Sequence, residues 1–183
     1  GGLQFSLSNS FAQPLTTKEL MDWSRESGDD DDQAALLIEE YCTHSLEYTP
    51  NGGSLDLREA IAALYGPKIS AQNVLVFPGA QVAVQTAARA ICHDKMHAIS
   101  FGPGYQSVVK GPAFEGAGSV SHIELEASKG WQVQLDEVKE AIQDNTSYLV
   151  LNEPSNPAGT LMSSTTQSDL VQLAPEQNIY VLF

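Results

Sequence analysis

From Asn73 onward, short apolar runs rich in β-branched and aromatic residues alternate with segments whose apolar positions recur at helical spacing. The strand-like runs are "NVLVF" (73–77), "MHAISF" (96–101), "SVSHIEL" (119–125), "SYLVLN" (147–152) and "IYVLF" (179–183). Between the first two, "GAQVAVQTAARAIC" (79–92) places Val82, Ala83, Thr86, Ala87, Ala90 and Ile91 near one helical face. "GPGYQSVVKGPAFEG" (102–116) reads as a turn and a short helix, and "LDEVKEAIQ" (135–143) and "TQSDLVQLAPEQ" (166–177) read as helices. Strand and helix in regular alternation predict an α/β fold, with a mostly parallel sheet covered by helices.

The N-terminal part has a different pattern. "DQAALLIEEYCTHSL" (32–46) and "SLDLREAIAALYG" (54–66) are helical, the second with Ser54 as N-cap and Gly66 as a C-terminal stop. Residues 1 to about 14 have weak periodicity and read as an extended arm that orders only by packing on something else. No internal repeat of fixed period occurs. At the other end, the apolar run "NIYVLF" closes the chain without a polar segment, although buried parallel strands normally continue into a loop. The expectation is therefore the N-terminal portion of a larger protein, with a sheet incomplete at its C-terminal side.

Charge narrows the partners. Nine Lys and Arg against 23 Asp and Glu give a net charge of −14 over 183 residues, which opposes nucleic acid and anionic membrane surfaces. Part of that charge lies in "SGDDDDQ" (27–33), expected to be a solvated loop leading into a helix N-terminus. Cys42 and Cys92 lie far apart in helical patterns and are expected to be reduced, packed thiols. His44, His93, His97 and His122 lack metal-ligand spacing, and His97 reads as a packing or surface residue of a strand. No metal site is expected. With no bilayer-length apolar run and no signal-peptide pattern at the start, the expectation is a cytoplasmic protein.

Candidate chemistry gathers where strand-like runs end. "VFPGAQVAV" (76–84) runs through a Pro-Gly turn into a helix, whose first N–H groups, at Gly79, Ala80 and Gln81, could hold a phosphate. Standing alone, that stretch is better explained as a plain βα turn with Gly for geometry. "SFGPGYQ" (100–106) sets Tyr105 beyond another Gly/Pro turn, placed to lie on a planar ligand or to cap the core. "LVLNEPSNPAGTL" (149–161) breaks into two prolines and two asparagines, Asn152 and Asn156, whose amides can donate to a ligand oxygen. Open α/β sheets bind ligands at the carboxyl ends of their strands, so three such ends point to a binding edge.

Four of these segments, in this order, resemble the motifs of the fold-type I pyridoxal-phosphate enzymes, specifically the class I/II aminotransferases. "LNEPSNPAGT" is similar to the signature N-x-P-x-N-P-[TAHQ]-G, with Ala158 where Thr is common. "YTPNGGSLDLREAIAALYG" (48–66) is similar to the segment Y-x-P-x-x-G-x-x-x-L-R-x-A-I-A, "FPGAQVAV" to the phosphate turn, and "GPGYQS" to the segment with the stacking aromatic.

The resemblance implies a three-layer α/β/α large domain from about residue 47 to 183, with residues 1–46 as an arm and helix making small-domain and dimer contacts. It implies that Asn156 hydrogen-bonds the phenolic oxygen of pyridoxal 5'-phosphate, that Tyr105 stacks on the pyridine ring, and that Gly79, Ala80 and Gln81 surround the phosphate. It also implies that Tyr48 reaches the phosphate of the neighbouring subunit of a homodimer, and that the substrates are an α-amino acid and a 2-oxo acid. Arg58, within the L-R-x-A-I pattern, is expected to anchor its helix by a salt bridge rather than to bind substrate.

The family's Schiff-base lysine and the acid facing the pyridine nitrogen match no residue here, because Lys18, Lys68, Lys95, Lys110, Lys129 and Lys139 all stand outside the lysine motif. No catalytic residue is therefore expected within this chain, and the chain alone is expected to be inactive. Cyclases, lyases and decarboxylases of the same fold would share every motif, as would a non-catalytic binding or dimerisation module.

Overall fold

The computed structural model describes residues 13–26 and 39–183. Its contacts divide into two units, Gly1–Ala71 and Gln72–Phe183.

In the first unit, α1 (Thr17–Glu26) starts with a reciprocal cap. The Glu19 N–H donates to Thr16 Oγ1 at 3.2 Å, and Glu19 Oε2 accepts from the Thr16 N–H and hydroxyl at 2.7 Å each. These bonds hold the Glu19 carboxyl below its ordinary range, the backbone bond contributing most. Residues 39–43 are helical, as expected for the end of the 32–46 helix. The rest of that helix, the aspartate run at 27–33 and nearly all of the extended arm lie outside the described residues. Helix α2 (Leu55–Ala63) begins where Ser54 Oγ accepts the Leu57 N–H at 3.4 Å, and Gly66 follows it at φ +83°.

Two expectations fail in this unit. Arg58 does anchor α2, but through carbonyls rather than a carboxylate: Nε donates to Gly53 O at 3.1 Å and Nη1 to Ala71 O at 2.9 Å. A guanidinium has five donors and binds carbonyls as readily as acids, so its partner cannot be read from charge pattern. Cys42 is a free thiol but exposed, not packed, because the helical stretch 39–43 that carries it is exposed along its whole described length.

The second unit is a four-stranded parallel sheet in the order β2-β1-β3-β4. Chain order gives α3 (Ala80–Ile91), β1 (His97–Gly102), α4 (Gln106–Phe114), β2 (Ser119–Glu124), α5 (Leu135–Ala141), β3 (Thr146–Val150), α6 (Ser164–Glu176) and β4 (Tyr180–Leu182). Alternation along the strands sends side chains to opposite faces. Ile99, Phe101, Leu149 and Leu151 pack with Val138 of α5 and Leu170 of α6 on one face. Ala98, Tyr148 and Val150 pack with Ala88 of α3 and Val108 of α4 on the other. The result is three layers, helices on both faces, with β1 buried along its whole length as a central parallel strand should be.

Residues 73–77 depart from the expected pattern. A β-rich run becomes a strand only by pairing, and Val74–Phe77 has no ladder partner among the described residues, with Leu75 68% exposed. The face of α3 is also rotated from its expected position. Val84, Ala88 and Ile91 pack on the core, while Val82, Thr86 and Ala90 are exposed. The helix carries small or apolar residues nearly all round, so periodicity alone could not choose the stripe.

Candidate functional site at the carboxyl edge of the sheet

The strand order creates an opening at one edge. After β1 the chain crosses to β2 on one side, and it later returns to place β3 on the other side of β1. Loops leaving adjacent parallel strands in opposite directions leave a crevice between them, the topological switch point at which open α/β sheets bind ligands. The loop after β1 carries Tyr105, and the loop after β3 carries Asn156.

Each residue has a local cause for its place. Gly79 is the N-cap of α3 at φ +101°, ψ 144°, a conformation nearly closed to other residues, and no side chain caps the helix there. The N–H groups of Ala80 and Gln81 are thus left at the positive end of a 12-residue helix. Tyr105 is the N-cap of α4, also without a side-chain cap, and the residue is 49% exposed. Gly102, at the end of β1, is fixed by packing, since a Cβ there would collide with the His122 ring.

The loop after β3 closes on itself. The Gly159 N–H donates to Ser155 O at 2.8 Å, the Ser155 N–H donates to Thr160 O at 3.0 Å, and Gly159 takes φ +67°. Glu153 Oε1 accepts the Met162 N–H at 2.8 Å and ties the two ends of the loop together. Asn156 is half-buried within it. Beneath the loop lies a narrow cavity of about 20 Å³ lined by Phe101, Trp131, Asn152 and Glu153, room for about one water rather than a ring.

The larger space lies between α3 and α4. A groove of about 300 Å³ is lined by Gln81 and Gln85 of α3 and by Tyr105, Gln106, Ser107 and Lys110 at the start of α4. Gln81 and Tyr105, singled out separately from sequence, thus line one space. Gly79 and Ala80 stand at the adjoining end of α3, Asn156 lies outside the groove's lining, and Tyr48 belongs to the first unit, where it is fully exposed. Sequence reasoning missed Lys110 and Ser107 as groove residues, since only the packing of α4 on α3 brings them there.

Behind the groove the core is apolar with a few polar atoms. Burial pushes the Tyr148 phenol up to about 12, with the Cys92 thiol adding to the shift, and its hydroxyl has no hydrogen-bond partner. Burial and the Glu115 carboxylate raise the Cys92 thiol as well. Among the described residues no three His, Cys, Asp or Glu side chains gather to hold a metal ion, and no helix is long and apolar enough to cross a membrane.

The family model for aminotransferase class I and II matches residues 22–183. This chain belongs to that family. Members of the class I and II aminotransferases depend on pyridoxal phosphate. The chain is 31% identical over 141 residues to an aspartate aminotransferase of Thermotoga maritima, covering 75% of this chain and 37% of that one. It is 29% identical over 153 residues to an aspartate aminotransferase of Pyrococcus horikoshii, covering 81% and 38%. Among solved structures, a PLP-dependent aminotransferase from Streptococcus suis superposes with TM-score 0.80 at 26% identity, covering 91% of this chain and 42% of that one. Aspartate aminotransferase from Thermus thermophilus with maleate superposes with TM-score 0.73 at 26% identity, covering 79% and 38%. The chain thus spans about two fifths of the length of the curated relatives it matches. Its aminotransferase fold has the glycine-started, uncapped α3 that a phosphate group requires, so the residues present fit the cofactor's anionic end.

Proposed function

We propose that the protein containing this chain transfers an amino group between an α-amino acid and a 2-oxo acid with pyridoxal phosphate as cofactor, and that it works as a cytoplasmic homodimer. The observation that carries this reading is the shared groove of Gln81 and Tyr105 at the starts of two helices, in a chain of a cofactor-dependent family. When bound, the cofactor supplies the electron sink for bond changes at the substrate's Cα.

The residues of this chain bind and orient. Ala80 and Gln81 donate backbone N–H groups to the phosphate with the α3 dipole behind them, and Gly79 lets the backbone approach. Tyr105 covers one face of the pyridine ring and keeps water from it. Asn156 donates its side-chain amide to the phenolic oxygen, and Tyr48 of a second copy reaches the phosphate. Residues 47–183 form part of the cofactor-binding domain, and residues 1–46 contribute arm and dimer contacts. The anchoring lysine and the acid facing the ring nitrogen are assigned to the remainder of the fold, since the relatives are more than twice as long as the matched segment.

Titrating the complete protein with pyridoxal phosphate, followed by visible absorbance, tests the reading. Saturable binding is expected, with the absorbance maximum displaced by Asn156→Ala and cofactor binding affected more than folding. A folded dimer that fails to bind the cofactor refutes it.

A further inference from the structure

One side chain of β2 reaches over the end of β1, where the chain departs for Tyr105. Ser100 and Gly102 of β1 stand opposite His122 and Glu124 of β2, on the face that α3 and α4 cover. The His122 ring lies against Gly102: a Cβ built there would stand 2.4 Å from Nε2 and 2.7 Å from Cε1. Two neighbours hold the ring in that place. Nδ1 is 3.1 Å from Ser100 Oγ, and Nε2 is 3.3 Å from Glu124 Oε1. A carboxylate beside Nε2 favours the proton on that nitrogen, which leaves Nδ1 to accept the Ser100 O–H. Ser100 is buried, so the same bond gives its hydroxyl a partner.

This arrangement stabilises the fold little by itself. The Glu124 side chain is 76% exposed and that of His122 33%, and exposed ion pairs contribute little. Its consequence is orientation, because the chain leaves β1 at Gly102 and reaches Tyr105 three residues later. Contacts are tight along that path. The Gly102 carbonyl accepts the Leu125 N–H, and a Cβ at Gly104 would meet Val109 Cγ2 at 2.9 Å and Phe101 O at 3.0 Å. The Tyr105 carbonyl then accepts the Val108 and Val109 N–H groups at 3.0 Å each. Close-packed groups transmit displacement rather than absorb it, so a shift at Gly102 passes on to Tyr105.

We propose that His122, oriented by Ser100 and Glu124, is a positioning residue for Tyr105: its ring fixes the exit of β1 and so the place of the tyrosine ring in the groove. The inference rests on the reading of Tyr105 as the cover of the pyridine ring. Offset stacking depends on where the rings lie, so His122 acts on cofactor affinity without touching the cofactor.

The test places fluorotyrosine in the complete protein and identifies the Tyr105 fluorine resonance by its loss in Tyr105→Phe. Without cofactor, His122→Ala, a change that a partly exposed edge-strand position tolerates, should move that resonance. Gly102→Ala should move it too, because its new Cβ displaces the ring. Joining the two substitutions should return the resonance towards its native position, since removing the ring leaves nothing nearer to that Cβ than Glu124 Oε2 at 3.8 Å. With pyridoxal phosphate added, His122→Ala should weaken binding about threefold or more, but less than about twofold when Tyr105 has already been replaced by alanine. A Tyr105 resonance unmoved by His122→Ala overturns the proposal, as does an equal loss of affinity with and without the Tyr105 ring. A native protein that takes up no cofactor refutes the reading of the site, and the cofactor-free resonances still decide whether His122 sets Tyr105.

Discussion

Glu153 Oε1 accepts the backbone N–H of Met162 at 2.8 Å and so joins the two ends of the loop that presents Asn156. A hydrogen bond to an ionised acceptor contributes about 1.5–3 kcal/mol when shielded, and this one is partly buried. Glu153→Ala should lower stability by about 1–2 kcal/mol and raise hydrogen exchange at residues 155–162, whereas Glu153→Gln keeps an acceptor and should lose less than half as much. Denaturant midpoints of the three proteins measure this. Equal midpoints for Ala and native would remove Glu153 from the loop's support.

Gly79 should be irreplaceable for a conformational reason and not for lack of room. An added Cβ meets nothing within 4 Å, but φ +101° is strained for any L side chain. Gly79→Ala should cost about 1–3 kcal/mol, and in the complete protein it should also weaken pyridoxal phosphate by displacing the first N–H groups of α3. Calorimetry paired with the cofactor titration separates the two effects.

His97 makes stability depend on pH. It is fully buried, its Nε2 accepts the Ser121 N–H at 3.1 Å, and its Nδ1–H therefore donates to Thr146 Oγ1 at 2.7 Å. Desolvation depresses its pKa below the ordinary 6.5, so in the acid window the unfolded chain binds the additional proton. Its contribution is full above about 6.5 and is lost as pH falls through the depressed folded value. Unfolding free energy should therefore drop between pH 7 and pH 5, with a shallower slope in His97→Asn. The ring resonances of native His97 should titrate below those of a peptide histidine.

Tyr148→Phe should be neutral or stabilising. The Tyr148 hydroxyl is buried and unpartnered, so its removal relieves a desolvation cost while the ring keeps its packing. A gain of up to about 1 kcal/mol, or a few degrees in thermal midpoint, is expected. A marked loss of stability would show that the hydroxyl has a partner in solution.

Much of this arrangement was legible in the chain, for identifiable reasons. The β-α alternation after residue 96 is strong because its central strands are buried on both faces, and β1 through β4 fall where apolar runs end in turn residues. Helix α1 could have been found too, since Thr16 and Glu19 form a capping box visible as T-x-x-E, but its apolar positions are few. Residues 73–77 misled because propensity gives an extended conformation while pairing requires a neighbour. At the groove, Gln81 and Tyr105 are the lining residues singled out by turn chemistry next to a strand or helix. Lys110 and Ser107 were not, because their place depends on how two helices pack. The switch point between β1 and β3 is a property of strand order, which local pattern does not contain.

Amino-group transfer by the complete protein measures the central claim most directly. An isotopically labelled amino acid is incubated with a 2-oxo acid, with and without pyridoxal phosphate, and label is followed into the new amino acid. Label should move only when the cofactor is present, and Asn156→Ala should slow it about tenfold or more, a larger effect than its change in folding stability. A well-folded protein that takes up the cofactor yet moves no label, or an Asn156→Ala variant as fast as native, would contradict the account.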